Sequence, residues 1–150
     1  MEIREFTGNR RNLLDLLLLA DEQFEMVEKY LDRGRMFVLE DVGEIRAECL
    51  VTDEGSGVLE IKNIAVKPQY QGKGYGKALI DFIVSSYCKE YDFIQVGTGD
   101  SPLTVPFYEK CGFERHHVIK DFFTENYDHP IIEAGVQLRD MVVLRRPLKQ

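Results

Sequence analysis

Gln71-Gly72-Lys73-Gly74-Tyr75-Gly76 is the stretch whose residue types and spacing most directly suggest chemistry. Three glycines in five positions let the chain turn tightly and leave backbone N–H groups uncovered, so a phosphate can approach closely. The apolar run Ile61 to Val66 precedes it and a helical-looking run, Lys77 to Tyr91, follows. The first N–H groups of that helix have no partner within it, and its dipole favours an anion there. A glycine-rich strand-to-helix turn that binds nothing has the same composition. Four lysines between Glu60 and Asp81 (Lys62, Lys67, Lys73, Lys77), with no acid among them, turn the reading toward a polyphosphate. The spacing argues against ATP and NAD. A Walker loop and a dinucleotide fingerprint each need glycines at offsets this stretch lacks, because position 77, five after Gly72, is lysine and is followed by Ala78.

The rest of the composition limits what such a loop can belong to. At 150 residues the chain is read as one domain, residues 1–150, with 44% hydrophobic and 30% charged residues, the ordinary mixture of a soluble protein. The longest aliphatic run, Leu13 to Ala20, is interrupted by Asp15 and is far short of the ~20 residues that span a bilayer. No basic-then-apolar leader precedes it, so the expectation is a cytoplasmic protein with no membrane partner. Net charge of −7 argues against a nucleic-acid groove. Cys49, Cys88 and Cys111 are too dispersed for a metal or disulfide pattern and read as free thiols. His116 and His117, adjacent on an extended segment, are expected to point to opposite faces, so no metal site is expected.

The elements that must position the loop follow from periodicity. A short first strand, Glu2 to Phe6, is followed by a broad leucine face from Leu13 to Leu19 behind the cap candidate Asn9. A second helical piece runs from Asp21 to Arg33 and stops at Gly34. The period then changes to two. Met36 to Leu39, Glu44 to Thr52 and Val58 to Val66 read as an antiparallel meander with turns at Asp41-Val42-Gly43 and at Asp53 to Gly57. In its last strand the apolar phase slips near Lys62-Asn63, as an inserted bulge residue would make it do; a strand buried on both faces is the other reading. Pro68 ends that strand's pairing. Asp92 to Gly97 is a fifth strand, and Leu103 to Lys110 is a short helix stopped at Cys111-Gly112. Phe113 to Phe123 is extended, Thr124 to Pro130 is a loop, and Val136 to Leu144 is the final strand.

With those elements in place the chain resembles the GNAT superfamily of acyl-CoA-dependent N-acetyltransferases. The family signature Gln/Arg-x-x-Gly-x-Gly/Ala is met by Gln71, Gly74 and Gly76 behind a strand ending in Ala65-Val66. About thirty residues on, Phe107-Tyr108-Glu109-Lys110-Cys111-Gly112-Phe113 resembles the family's Tyr-Glu-Lys-x-Gly-Phe segment. The resemblance implies an α+β fold: a single domain with a central mixed, mostly antiparallel twisted sheet of about seven strands and helices on both faces. It implies acetyl-CoA as co-substrate and no metal.

It also implies roles for residues. Ile64, Ala65 and Val66 would pair through their backbone with the pantetheine arm, and Gln71, Gly72, Lys73, Gly74, Tyr75, Gly76 and Lys77 would hold the pyrophosphate. A backbone N–H near Val66 would stabilise the oxyanion. Tyr108 matches the tyrosine that donates to the departing thiolate, and Glu60 stands where histone-acetyltransferase-type members carry their general base. Where many members have an asparagine contacting pantetheine, this chain has Ser101, beside Asp100, as the candidate contact. The acceptor would lie among the first two helices, with Asp21, Glu22, Glu25 and Glu28, and the segment before the last strand, with Asp121, Glu125, Asp128 and Glu133. Those acids favour a small cationic amine such as a polyamine or aminoglycoside, or a lysine side chain; a solvated acidic face explains them equally well. Acetylation of protein N-termini or lysines, and a CoA-binding module without catalysis, are the alternatives. Homodimers are common in the superfamily, and the last strand offers a contact edge.

Overall fold

The period-two segments form hairpins in the computed structural model, which describes residues 1–148. β1 (Glu2–Glu5), β2 (Arg35–Asp41), β3 (Glu44–Asp53) and β4 (Val58–Val66) pair antiparallel in chain order. Val42 (φ 52°) and Gly43 (φ 71°) close the β2–β3 hairpin, the two positive φ values that suit a two-residue turn to the strands' twist. The leucine-rich segment becomes a 3-10 turn, Arg10–Leu13, then α1 (Leu14–Ala20). Asn9 caps it, its side chain accepting from Arg11 N at 3.0 Å. α2 (Phe24–Glu28) is shorter than the expected helix; beyond it the chain proceeds in turns to Gly34 (φ 59°).

After β4 come α3 (Tyr75–Tyr87), β5 (Phe93–Gly99), α4 (Val105–Lys110) and β6 (Glu114–Ile119), then α5 (Phe122–Asn126), β7 (Ile132–Glu133), β8 (Val136–Gln137) and β9 (Met141–Pro147). The seven-stranded sheet has the order β1-β2-β3-β4-β5-β9-β6, and β4–β5 is its parallel pair. Ala47, Cys49 and Val51 of β3 face the α3 layer with Leu79, Ile80 and Ile83, while Leu50 faces Leu17, Val27 and Leu31 on the other side. Helices therefore cover both faces.

Three expectations change. The segment Val136 to Leu144 is not one strand. Phe123, Ile131 and Leu138 bury together in a small cluster of their own, which folds the chain back as the β7–β8 hairpin and places α5 where a loop is expected. The last strand is not an edge either, since β9 lies between β5 and β6 and the edges are β1 and β6. Finally, the rings of His116 and His117 meet, with Nδ1 atoms 2.8 Å apart. The β6–β9 register slips between Arg115 and His117, and a bulge there defeats strict alternation.

The phase slip in β4 is a bulge. Leu50 faces Asn63 and Val51 faces Ile61, leaving Lys62 as the extra residue. The parallel β4–β5 register covers Val58 to Ile61 alone, so beyond the bulge the two strands part.

Candidate active site

The parting of β4 from β5 leaves a free strand edge. Lys67 N donates to Arg46 O at 2.9 Å, and antiparallel alternation then turns Ala65 and Asn63 toward β3 as well. The N–H and C=O groups of Ile64 and Val66 face the other way, into the gap. Gln71 Nε2 donates to Val66 O at 3.1 Å from that side. The motif glutamine thus pins the loop to the strand exit. A cleft of about 1160 Å³ runs through the gap, lined from one sheet face by Ala20, Asp21 and Tyr30 and from the other by Gly76, Phe107 and Tyr108.

At one end stands the glycine loop. Gly72 (φ 79°) and Gly74 (φ 84°) have left-handed backbones, and a Cβ at either would meet no protein atom within 4 Å. Their faces are open to a ligand. Gly74 is the N-cap of α3 and offers no side-chain cap, so the first N–H groups of that 13-residue helix are free to bind an anion. Gly76 differs: a Cβ there would lie 3.1 Å from Phe107 Cζ, so it permits close packing of α3 against α4. The Tyr75 hydroxyl donates to Asp41 at 3.0 Å and accepts from Arg46 at 3.1 Å, tying the helix start to the β2–β3 hairpin.

The lysines behave differently from the expected positive island. Lys62 pairs with Glu60 and Glu54, Lys67 with Glu44 (3.1 Å) and Lys77 with Asp81 (2.7 Å). Same-face neighbours on β4 bring Glu60 to Lys62, and strand pairing and the helical i,i+4 spacing bring in Glu44, Glu54 and Asp81. Lys73 extends over the Tyr70 ring at 5.6 Å and does not line the cleft. Lys110, which spacing did not single out, does. Ser101, 3% exposed, is also absent from the cleft wall; its Oγ accepts from Leu103 N at 3.1 Å and starts the turn into α4. Thr98 and Thr104, hydrogen-bonded to each other at 2.9 Å, line the cleft nearby.

Tyr108 lies where α4 meets the gap, 8% exposed, its ring against Phe107 and Phe113 at 5.2 and 5.9 Å between centroids. Its hydroxyl makes no hydrogen bond to another described residue. Burial, and then the nearby acidic groups of Cys49, Cys111, Glu48 and Glu133, push this phenol well above its ordinary value. It remains a proton donor throughout the neutral and mildly alkaline range. Glu60 also lines the cleft, but its carboxylate is engaged by Lys62 and by Gln95 Nε2. An incoming ammonium would have to displace Lys62 to reach it.

The other end of the cleft is built from distant segments. Asp21, between α1 and α2, accepts from Tyr30 at 3.1 Å and from Tyr127 at 2.7 Å. Asn63 Nδ2 donates to Tyr30 Oη and to Leu17 O, each at 2.9 Å, locking β4 to α1. Burial raises the Asp21 carboxyl above its ordinary value against the lowering effect of the two phenol donors. Asp21, Glu22 and Glu133 line the cleft, whereas Glu25, Glu28, Asp121, Glu125 and Asp128 do not. Asp21, an acid between the first two helices, and Asn63, polar inside an apolar strand, were the sequence signals for this network; Tyr127, 106 residues from Asp21, had none.

Comparison with known proteins agrees with this geometry. The family model described as an acetyltransferase (GNAT) domain matches residues 32–115. YvbK, an N-acetyltransferase of Bacillus subtilis (strain 168), is 39% identical over 146 residues, 96% of this chain and 93% of its own. The chain belongs to the GNAT acetyltransferases. A Bacillus subtilis acetyltransferase solved in complex with CoA superposes with a TM-score of 0.89 at 37% identity over 97% of each chain. A GNAT family acetyltransferase of Elizabethkingia anophelis with acetyl-CoA bound gives 0.90 at 34% identity, again over 97% of each. This GNAT protein is thus an acetyl-CoA-dependent N-acetyltransferase. Its own residues fit the donor: the glycine faces are open, the α3 N-terminus is uncapped, and the β4 edge is unpaired beyond the bulge. Among the described residues no helix is long and apolar enough to cross a membrane.

Proposed function

We propose that this enzyme transfers the acetyl group of acetyl-CoA directly to a primary amine of a small cationic molecule. The observation that carries the acceptor class is the far end of the cleft, where Asp21 and Glu133 supply carboxylates with no cationic side chain among the described residues paired to either. A cation placed there gains Coulombic energy from these partly buried carboxylates.

The bound thioester supplies the activated acetyl group. The residues act around it. The Gly72 and Gly74 faces and the free N–H groups at the start of α3 hold the pyrophosphate, and the Ile64 and Val66 backbone orients the pantetheine arm as an added strand would. The Val66 N–H, directed into the gap, stabilises negative charge on the acetyl oxygen as the amine attacks. Tyr108 donates a hydrogen bond to the departing sulfur. Its raised pKa makes it a fixed donor that stabilises the thiolate rather than a group that gives its proton away. Lys110 adds positive charge at the cleft wall.

Acetylation of a protein N-terminus or lysine is the second reading. The bridge from Tyr127 through Asp21 to Tyr30 draws three segments together beside the acceptor end and favours a small molecule over a polypeptide. The test is a panel of amines scored by thiol release from acetyl-CoA: 1,4-diaminobutane, spermidine, an aminoglycoside, and a lysine-containing peptide with free N-terminus. Turnover of the small cations is expected. Acetylation of the peptide alone would overturn the assignment.

A further inference from the structure

We infer that Glu133 is the residue that receives the acceptor amine and takes its proton, with Asn63 Oδ1 as a further hydrogen-bond acceptor on the same cleft. The inference rests on the proposed transfer to a cationic amine and assigns that reaction's base.

The β7–β8 hairpin aims Glu133 inward. Its turn, Ala134 (φ 51°) and Gly135 (φ 77°), follows a segment in which Ile131 is buried at 6% and Ile132 is 56% exposed. Alternation places Glu133 on the side of Ile131, and both line the cleft. Glu133 Oε2 is sealed from solvent and has no hydrogen-bond partner among the described residues. Asn63, 3% exposed, lines the same cleft and has its Oδ1 equally buried and unpartnered. The orientation of that amide is fixed by chemistry, because Leu17 O can only accept and so must face the nitrogen. An unsatisfied buried acceptor costs about 1–3 kcal/mol, so two in one cavity point to a donor-rich ligand. An alkylammonium brings three N–H donors and a positive charge. A phosphate or carboxylate brings none that these atoms need.

Glu133 is better suited than Glu60 for a simple reason. Both Lys62 and Gln95 hold the Glu60 carboxylate, while one Glu133 oxygen is empty and close enough to Tyr108 to raise that phenol. The other charged or titratable groups around this end are Asp21 and Glu22 from the α1–α2 segment, Lys29, Tyr30 and Arg33 from the turns after α2, Tyr127 before β7, Glu60 and Lys62 on β4, and Tyr108 on α4; Arg33 is held by Glu54 at 2.8 Å. In the step itself, one proton of the ammonium passes to the Glu133 carboxylate and on to solvent. The free amine then forms the C–N bond as the C–S bond breaks. The second nitrogen proton goes to the departing thiolate, which leaves as the thiol.

The experiment uses the full chain with 1,4-diaminobutane as acceptor and compares Glu133→Gln, Glu133→Asp and Glu60→Gln with wild type. Glu133→Gln is expected to lower kcat/KM about 100-fold or more at pH 7, within the range of general-base catalysis, with CoA affinity by calorimetry unchanged. The loss should shrink as pH approaches the amine's own pKa of about 10.4, because the substrate then arrives deprotonated. Glu133→Asp should recover part of the activity, since it keeps the carboxylate. Glu133→Gln within threefold of wild type overturns the inference, as does an equal loss in the Gln and Asp variants, which would mark a packing role. A 100-fold loss in Glu60→Gln alone would return the base to Glu60. A wild type that acetylates no amine in the panel overturns the proposed function, and this assignment with it.

Discussion

Replacing Tyr108 by Phe removes one oxygen and nothing else that the resting protein uses. The ring is 8% exposed and packed edge-on against Phe107 and Phe113, contacts that phenylalanine keeps. The hydroxyl has no hydrogen-bond partner among the described residues, so no bond is broken and no buried group is orphaned. Stability should therefore move by no more than about 0.5 kcal/mol, with a gain as plausible as a loss. Turnover should respond very differently. A donor aimed at charge that develops in the transition state is worth about 2.7–4 kcal/mol, a 10²–10³-fold fall in kcat. Because burial holds the phenol protonated, the loss should be constant from pH 6 to about pH 9 rather than titrate away. Thiol release under saturating acetyl-CoA gives kcat, calorimetry gives CoA affinity, and thermal unfolding gives stability. A kcat within threefold of wild type would show that Tyr108 does not face the leaving group. A large fall in melting temperature would show that the hydroxyl is a structural element.

Gly74→Ala should cost about 1–2 kcal/mol of stability from the left-handed backbone alone, since its Cβ would meet no protein atom within 4 Å. A rise in CoA Kd of about tenfold or more, or about 1.4 kcal/mol, should accompany it because the methyl occupies the ligand's face; unchanged CoA affinity by calorimetry would remove this loop from the donor site. Glu48, fully buried on β3 with neither oxygen partnered among the described residues, has its carboxyl raised well above the ordinary 4.5 by desolvation. A raised folded value means the neutral acid's contribution is fully present below about 4.5 and is lost as pH rises through the folded pKa. Glu48→Gln should therefore gain stability relative to wild type at pH 8 compared with pH 5, read from urea midpoints, and a constant difference between the two pH values would refute it.

Much of the donor half of this enzyme was legible locally. The β4 bulge appeared as a slip in apolar phase because side-chain direction in a strand is a property of consecutive residues. The glycine loop was legible because its φ values and uncapped helix start are set within six positions. Where sequence reasoning failed, the missing term was a partner from elsewhere. The lysine island was neutralised by Glu44, Glu54, Glu60 and Asp81; Ser101 turned inward to begin α4; and the final strand was split by the cluster of Phe123, Ile131 and Leu138.

Sequence alone carried the donor half: a strand, a glycine turn and a helix in the order of the GNAT signature, followed by a tyrosine on the next helix. These are short-range features, fixed by backbone sterics and helix ends. For the acceptor end the sequence offered Asp21 and Glu133 among several acids, and folding selected which of them reach the cleft. It sets Asp21 between Tyr30 and Tyr127, turns Asn63 against Leu17, and buries one oxygen of Glu133 without a hydrogen-bond partner among the described residues. Asp21 and Tyr127 are 106 residues apart, and no local rule relates such atoms until the sheet and its second hairpin are folded.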